Sequence, residues 1–531
     1  MYVDSVPNRN SPPAILLRES FRQGRKVLKR TLANLSDWPA QRVQALRRLL
    51  KGELDHLGTV DPINGPVFGL LFALKQVADA LGISAALGKT RLAKLALFLV
   101  LARVAHQGSR LSAVRWARNH AVAEVLGLGR FDEDHLYAAL DDLCDRQQSI
   151  ERALYRRYLR GRHAPPRLFL YDITSSYLEG QHNALGDFGF PRDGKRGKLQ
   201  IVFGLLSDEE GEPLAVRVFA GNTADSVTVV DQIRILKERF GVQELVFVGD
   251  RGMVKSKGKQ ALQEAGLRYI TALTDPQIRR LLREGTLQMD LFSEEVCEVQ
   301  ADGLRYLLRK NLAEAEREQH RLADKLAKLT KKVQQRNQQV QTSARCQPEA
   351  GLRWLQPWVA RHKLTGLVGL RLQGREMVLE RNEAAEERAL ELAGCYAVVT
   401  DVPPEGMSGQ AVHDSYVRLQ KVERDFRTLK TGLLEVRPMW VRKEKRTRGH
   451  VFCCMLALKL TRALEQRLQA AFGTTDGDPH TITLPDALAS LSRLCLQHYE
   501  IDEQTMVTRL PRADADQKQI LAALGVRLPD Q

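Results

Sequence analysis

Three acidic residues stand in places where a carboxylate is costly unless it has a task. Asp172 interrupts the apolar, β-branched run LFLYDITSSY, where a buried acid needs a partner. Asp250 ends a second apolar run in VFVGDRGM, between glycines that permit close backbone approach. Glu423 lies in YVRLQKVERDFRTLK, bordering a stripe of Leu419, Val422, Phe426 and Leu429 at helical spacing. Tyr416 precedes it by seven residues and Lys430 follows by seven, about two helical turns, so the spacing predicts one shared face. Carboxylates gathered at one point repel unless a cation sits between them. Mg²⁺ suits that need, as a hard ion held by a few carboxylate oxygens and completed by water and phosphate.

The elements around these acids follow from composition. LFLYDITSSYLEG, LQIVFGLLSD and GEPLAVRVFAGN read as three successive strands joined by turn residues. SVTVVDQIRILKERFG reads as a helix, ELVFVGD as a short buried strand, KSKGKQALQEAG as a helix and LRYITALT as a strand. Three antiparallel strands followed by alternating helix and strand is the order of a ribonuclease-H-like α/β fold. In that fold the first and fourth strands are neighbours, which brings Asp172 and Asp250 to one sheet edge. CYAVVTD returns to the same core, SYVRLQKVERDFRTLKTGL is an amphipathic helix, RPMWVRKEKRTRGH a basic connection, and VFCCMLALKLTRALEQRL a largely apolar helix. The expected core therefore spans 164–275 and 391–470, split by an insertion at 276–390. Within the insertion, Ala315, Leu322, Leu326, Leu329, Val333 and Val340 take heptad-like steps that predict a helical hairpin or short coiled coil.

The rest of the chain is bounded more coarsely. At 531 residues it exceeds one ordinary core, and 44% hydrophobic with 27% charged residues excludes a disordered class. A net charge of +16 favours a polyanionic partner, because Lys and Arg that neutralise phosphates release condensed counterions. Seven cysteines, an odd number without a CxxC pair, suggest neither a disulfide framework nor a zinc site and point to the cytoplasm. Apolar runs such as LALFLVLARVA are too short to span a bilayer, so no membrane is expected. Residues 1–60 form a basic element, with Arg18, Arg22, Arg25, Lys26, Lys29 and Arg30 among its cations, and 61–163 reads as a helical, DNA-end-binding region. The N-terminal third as a whole reads as mainly helical, and 471–531 as a C-terminal helical region.

The stretch from Tyr416 to Lys430 resembles the Tyr–Arg–Glu–Lys signature of a large group of bacterial insertion-sequence DDE transposases. Tyr416, Glu423 and Lys430 keep its seven-residue steps, while the arginine position is Leu419, with Arg418 one place early. YDITSSYLEG, GNTADSVT and VFVGDRGM are similar to the first-Asp and second-Asp regions of the same enzymes. The separations, 78 residues from Asp172 to Asp250 and 173 from Asp250 to Glu423, resemble their spacing with an insertion before the glutamate. The resemblance implies two Mg²⁺ ions, replaceable by Mn²⁺, held by Asp172, Asp250 and Glu423 as catalytic residues that cleave and join DNA. It also implies double-stranded DNA as partner, both element ends and target, with a homodimer in the DNA complex. Tyr416 and Lys430 would hold the DNA backbone. Lys195, Arg196 and Lys198 lie between the first two strands, where DNA would pass or where a solvated turn accounts for them. Arg251 would pair with phosphate or with a carboxylate, Asn222 and Asp225 would cap the following helix, and His450 would cap or pack. A nuclease of the same fold and a non-catalytic, transposase-derived DNA-binding protein are the competing readings.

Overall fold

The fold was analysed as a computed structural model that describes residues 1–8, 12–53, 62–162, 164–192, 194–240, 242, 245–251, 254, 256–343, 345–430, 434, 440–473, 481–501 and 505–529. Gly252 and the first residues of the basic connection at 437–439 lie outside the described residues. The chain divides into two compact units. One comprises Ala78–Ala113 and Arg130–Ala463; the other comprises Met1–Val77, Val114–Gly129 and Leu464–Gln531.

The larger unit is built on an eight-stranded mixed sheet. Its strands are β1 (Leu168–Tyr177), β2 (Gln200–Asp208), β3 (Pro213–Ala220), β4 (Val246–Gly249), β5 (Arg268–Ala272), β6 (Cys297–Ala301), β7 (Leu304–Lys310) and β8 (Cys395–Thr400). The spatial order is β6-β7-β8-β5-β4-β1-β2-β3. β1, β2 and β3 are antiparallel neighbours, and β4 lies parallel between β1 and β5. Near-continuous apolar runs suit these central strands, because the sheet is covered on both faces. Phe169, Tyr171, Phe203 and Phe247 are fully buried in it.

Helix α1 (Glu133–Arg160) begins at Asp132, whose side chain accepts the His135 N–H as an N-cap, and α2 (Asp225–Arg234) follows β3. α1 packs on the sheet. It is joined there by polar contacts as well as apolar ones. Buried Glu151 pairs with Arg217 of β3 at 3.0 Å, and the Tyr158 hydroxyl donates to Asp208 at the end of β2. Removal from water pushes the Glu151 carboxyl up, and Arg217 opposes that rise.

The insertion departs from expectation in two ways. Strands β6 and β7 extend the main sheet beyond β8, so this segment contributes to the central architecture. The heptad-spaced residues form one long helix, α3 (Leu312–Thr342), which makes the expected helical hairpin with a shorter following helix but also packs on a β-hairpin that the spacing does not predict. Leu326, Leu329 and Val333 pack against Leu355 and Val359 of α4 (Pro348–Arg361) and against Met377 in a hairpin of Val368–Gln373 and Glu376–Arg381. An apolar seam specifies that a helix is covered without specifying what covers it.

The last part of the unit supplies α5 (Gly409–Val417), α6 (Leu419–Lys430) and α7 (Glu444–Phe472) as far as Ala463. α6 buries Leu419, Val422, Asp425, Phe426 and Leu429. Phe426 meets Phe203 of β2 edge-on at 5.8 Å, while Asp425 pairs with Arg462 of α7 at 2.6 Å. Lys421 donates to the Glu209 carbonyl and Arg462 to the Glu210 carbonyl, tying the helix to the turn after β2.

In the other unit, residues expected to be helical include strands. Tyr2–Val6, Ala14–Gln23 and Lys26–Asn34 make a three-stranded antiparallel sheet. Pro62–Val67 pairs with Cys495–Ile501, which pairs with Thr505–Arg509, so the C-terminal region is not wholly helical. Many of the early strand residues are exposed on both faces, which leaves no alternation of apolar and polar positions to read. Among the described residues no helix is long and apolar enough to cross a membrane.

The Asp425–Arg462 pair predicts a stability defect. Both side chains are largely buried, and Arg462→Met leaves the carboxylate unpaired, at a cost of roughly 3–5 kcal/mol. Urea midpoints should fall for that variant and recover in large part in Asp425→Leu/Arg462→Met. Equal midpoints for wild type and the single variant would show that the pair does not hold α6.

Candidate active site

β1 carries Asp172 as its fifth residue, half-buried in a strand whose other residues are almost all buried. Parallel pairing with β4 sets Tyr171 beside Gly249. The next step along each chain therefore places Asp172 and Asp250 alongside one another, on strands about 4.8 Å apart. Each carboxylate is oriented by its own following peptide: Asp172 Oδ1 accepts the Ile173 N–H and Asp250 Oδ1 the Arg251 N–H, both at 2.7 Å.

Glu423 arrives from α6, which packs on β1 through the apolar stripe described above. Its side chain is exposed, yet its charge reaches Asp172. Loss of solvation, reinforced by the negative charges of Asp250 and Glu423, pushes the Asp172 carboxyl up to about 7. The Ile173 N–H and the Arg192 guanidinium act in the opposite direction. Three acids far apart in sequence thus share one electrostatic field. Among the described residues no group of three or more His, Cys, Asp or Glu is gathered tightly enough to hold a metal ion. Asp172 and Asp250 lie on adjacent strands, and Glu423 stands apart from them on α6.

Tyr416 belongs to the site by contact. Its hydroxyl donates to Asp250 Oδ1 at 3.3 Å, and burial followed by the charge of Asp250 pushes its pKa well above the tyrosine range. It does not share a continuous helical face with Glu423, as the seven-residue step suggested, because the chain turns at Arg418 between α5 and α6. Leu419, at the signature's arginine position, is buried in the α6 stripe, whereas Arg418 is exposed. Lys430 lies half-buried at the end of α6.

The loop between β1 and β2 holds a residue that the sequence reading passed over. Arg192 donates its backbone N–H to Ser175 Oγ at 3.1 Å, and its guanidinium pairs with Asp225 at 2.6 Å. Residue type does not distinguish Arg192 from the other cations of this Lys/Arg-rich loop; its contact with Ser175 does. Lys195 and Arg196 are exposed and Lys198 pairs with Glu179 at 2.8 Å. Asp225 does not cap the helix Asp225–Arg234: the cap position is Ala224, and Asp225 serves Arg192. Arg251 is exposed, 3.9 Å from Asp275. His450 is buried, with Nδ1 2.6 Å from a nitrogen of Arg110.

Residues 164–460 match the model of the transposase DDE domain, and residues 3–62 match the N-terminal domain of IS1634 family transposases. No curated protein sequence matches the chain. Among solved structures, the cryo-EM structure of the piggyBac transposase synaptic complex with hairpin DNA aligns at 8% identity with a TM-score of 0.36, covering 75% of this chain and 69% of that one.

The raised Asp172 carboxyl predicts a pH effect with a defined sign. Its folded value lies above the unfolded carboxylate range, so its stabilising contribution is present in acid and is lost as pH rises through about 7. The loss is on the order of 2–4 kcal/mol in the metal-free protein. Asp172→Asn, which retains an acceptor for the Ile173 N–H, should melt like wild type near pH 4 and several degrees higher near pH 8, both in chelator. Parallel melting curves for the two proteins at both pH values would contradict a strained carboxylate.

Proposed function

The chain belongs to the transposase DDE-domain family and is a DNA transposase, and from that premise we propose that Asp172, Asp250 and Glu423 are its catalytic acids on a ribonuclease-H-like core. The observation that carries this reading is the placement of Asp172 midway along β1 beside the end of β4, where burial, with the charges of Asp250 and Glu423 added, raises its carboxyl. The central strand order β5-β4-β1-β2-β3, with the first and fourth strands adjacent and parallel, supports the core assignment.

A site of this kind fits a divalent cation. Two aspartates side by side, one of them strained by removal from water, supply what Mg²⁺ takes from a protein: one or two carboxylates, with water and phosphate completing the shell. Glu423, on a helix packed against the same strand, would complete the set from an exposed position. When bound there, one or two such ions would activate the attacking water or 3′-hydroxyl and stabilise the leaving 3′ oxygen.

The protein's own groups would orient the reaction. Ile173 and Arg251 N–H groups fix one oxygen of each aspartate, leaving the carboxylates aimed by the backbone. The Tyr416 hydroxyl steadies Asp250, and Arg192, held by Asp225, offsets part of the negative field. Lys430, Lys195, Arg196, Lys198 and Arg251 would meet the phosphates of the element ends and target, so that the reacting phosphodiester lies over the acids. Cleavage would free 3′-hydroxyls that attack target DNA by the same chemistry, and two ends would be joined by two copies of the chain.

Purified protein incubated with a duplex carrying the flanking element end and Mg²⁺ should cut at the element boundary and join the freed end to target. Glu423→Gln should lower both steps by more than about 10³-fold while leaving duplex binding unchanged. Cleavage that survives in that variant would place the active site elsewhere. Boundary cleavage without joining would instead indicate a nuclease.

A further inference from the structure

The smaller unit contains a feature that the catalytic reading does not use. The first strand, Tyr2–Val6, pairs only with residues 14–18 of the second. Beyond that point the second and third strands continue alone as a two-stranded ribbon, paired from Glu19↔Arg30 to Gln23↔Lys26 and closed by Gly24 and Arg25. Gly24 adopts a φ of +62°, a left-handed turn conformation that glycine takes without strain. A bulge between Leu17 and Arg18 marks the base of the ribbon, where extra local twist is expected.

Every residue from 20 to 32 is exposed. A two-stranded ribbon standing alone is marginal in water, and this one displays apolar side chains as well: Phe21, Val27, Leu28 and Leu32 are 40–59% exposed. The same stretch holds Arg22, Arg25, Lys26, Lys29 and Arg30, and no acidic residue. Only Arg30 among these has an ion pair described, with Glu19 at 2.8 Å. Two-sided exposure, concentrated positive charge and apolar groups on one projecting element are the properties of a surface made for an occupant.

Resting on the transposase reading, we propose that this ribbon enters the major groove of duplex DNA and binds the ends of the element. The major groove is about 12 Å wide and admits a two-stranded β-ribbon. Arg22, Arg25, Lys26 and Lys29 would contact phosphates along both groove walls. Phe21 and Leu28, paired across the two strands and so on one face, would face base edges, where thymine methyl groups offer apolar contact. A second copy of the chain is a poorer occupant. Edge-to-edge pairing of the third strand would set Lys26, Lys29 and Arg30 of one copy against those of the other, and like charges opposed across strands are destabilising.

Binding of the full chain to a short duplex with the element's terminal sequence, measured across salt concentrations, tests this. Removing four cations in Arg22→Ala/Arg25→Ala/Lys26→Ala/Lys29→Ala should reduce the slope of log K against log[salt] by roughly 2–4, at about 0.9 per lost phosphate contact. Affinity near physiological salt should drop by about tenfold or more. Should the fourfold variant melt early, Arg25→Ala/Lys26→Ala at the turn carries the test alone, with a slope change of about 1–2. Phe21→Ser/Leu28→Ser should keep the slope and narrow the preference for the end sequence over a random duplex. Wild-type slope and affinity in the charge variants would overturn the inference while leaving the transposase reading intact. Weakened self-association with an unchanged slope would assign the ribbon to a second copy and also overturn it. A wild-type chain that binds neither duplex would overturn both.

Discussion

Burial of a carboxylate midway along β1, with the charges of two more acids acting on it, is the constraint on which the larger unit depends. Asp172 cannot be moved outward without breaking β1, because the residues around it are buried and paired on both sides. Asp250 is fixed beside it by the parallel register of β4, and Glu423 is brought near by a helix that packs on the same strand. The strain is visible in the Asp172 carboxyl, raised to about 7. A metal-free fold holding such an arrangement gives up stability that a bound cation would restore.

The supports around the acids follow from the same need for placement. α6 is held by Phe426 against β2, by the buried Asp425–Arg462 pair, and by contacts to the turn after β2. Asp425 also loses solvation, which pushes its carboxyl up to about 6 although Arg462 opposes it. A helix bearing an exposed glutamate is thereby fixed to the strand that bears Asp172. The insertion between β5 and β8 is tied in by a different route. Its first two strands enlarge the sheet, and its long helix α3 has a small core of its own with α4 and a hairpin.

Much of this was legible in the residues. Apolar, β-branched runs marked β1 to β5 and β8, and the helical spacing of Leu419, Val422, Phe426 and Leu429 described the buried face of α6 correctly. The parallel neighbours β1 and β4 lie as the strand order implied. What escaped the sequence has physical reasons. The turn at Arg418 separates Tyr416 from the helix of Glu423, and a seven-residue step does not reveal a break. Arg192 is selected from a basic loop by a backbone contact to Ser175 that no spacing encodes. The N-terminal strands lack alternation because many of their residues face solvent on both sides. β6 and β7 form a local hairpin in a charge-rich segment, and that hairpin joins the sheet only through β8, far along the chain.

The central claim is that Asp172, Asp250 and Glu423 serve one cation site, and iron-directed backbone cleavage tests it without relying on transposition. Fe²⁺ substituted for Mg²⁺, with ascorbate and peroxide, generates hydroxyl radicals that cut the polypeptide close to the bound ion. The account predicts cuts clustered near residues 172, 250 and 423, suppressed by excess Mg²⁺ and weakened in Asp172→Asn. Cuts confined to other segments, or cuts near 172 and 250 that never extend to 423 even with element-end DNA bound, would contradict it.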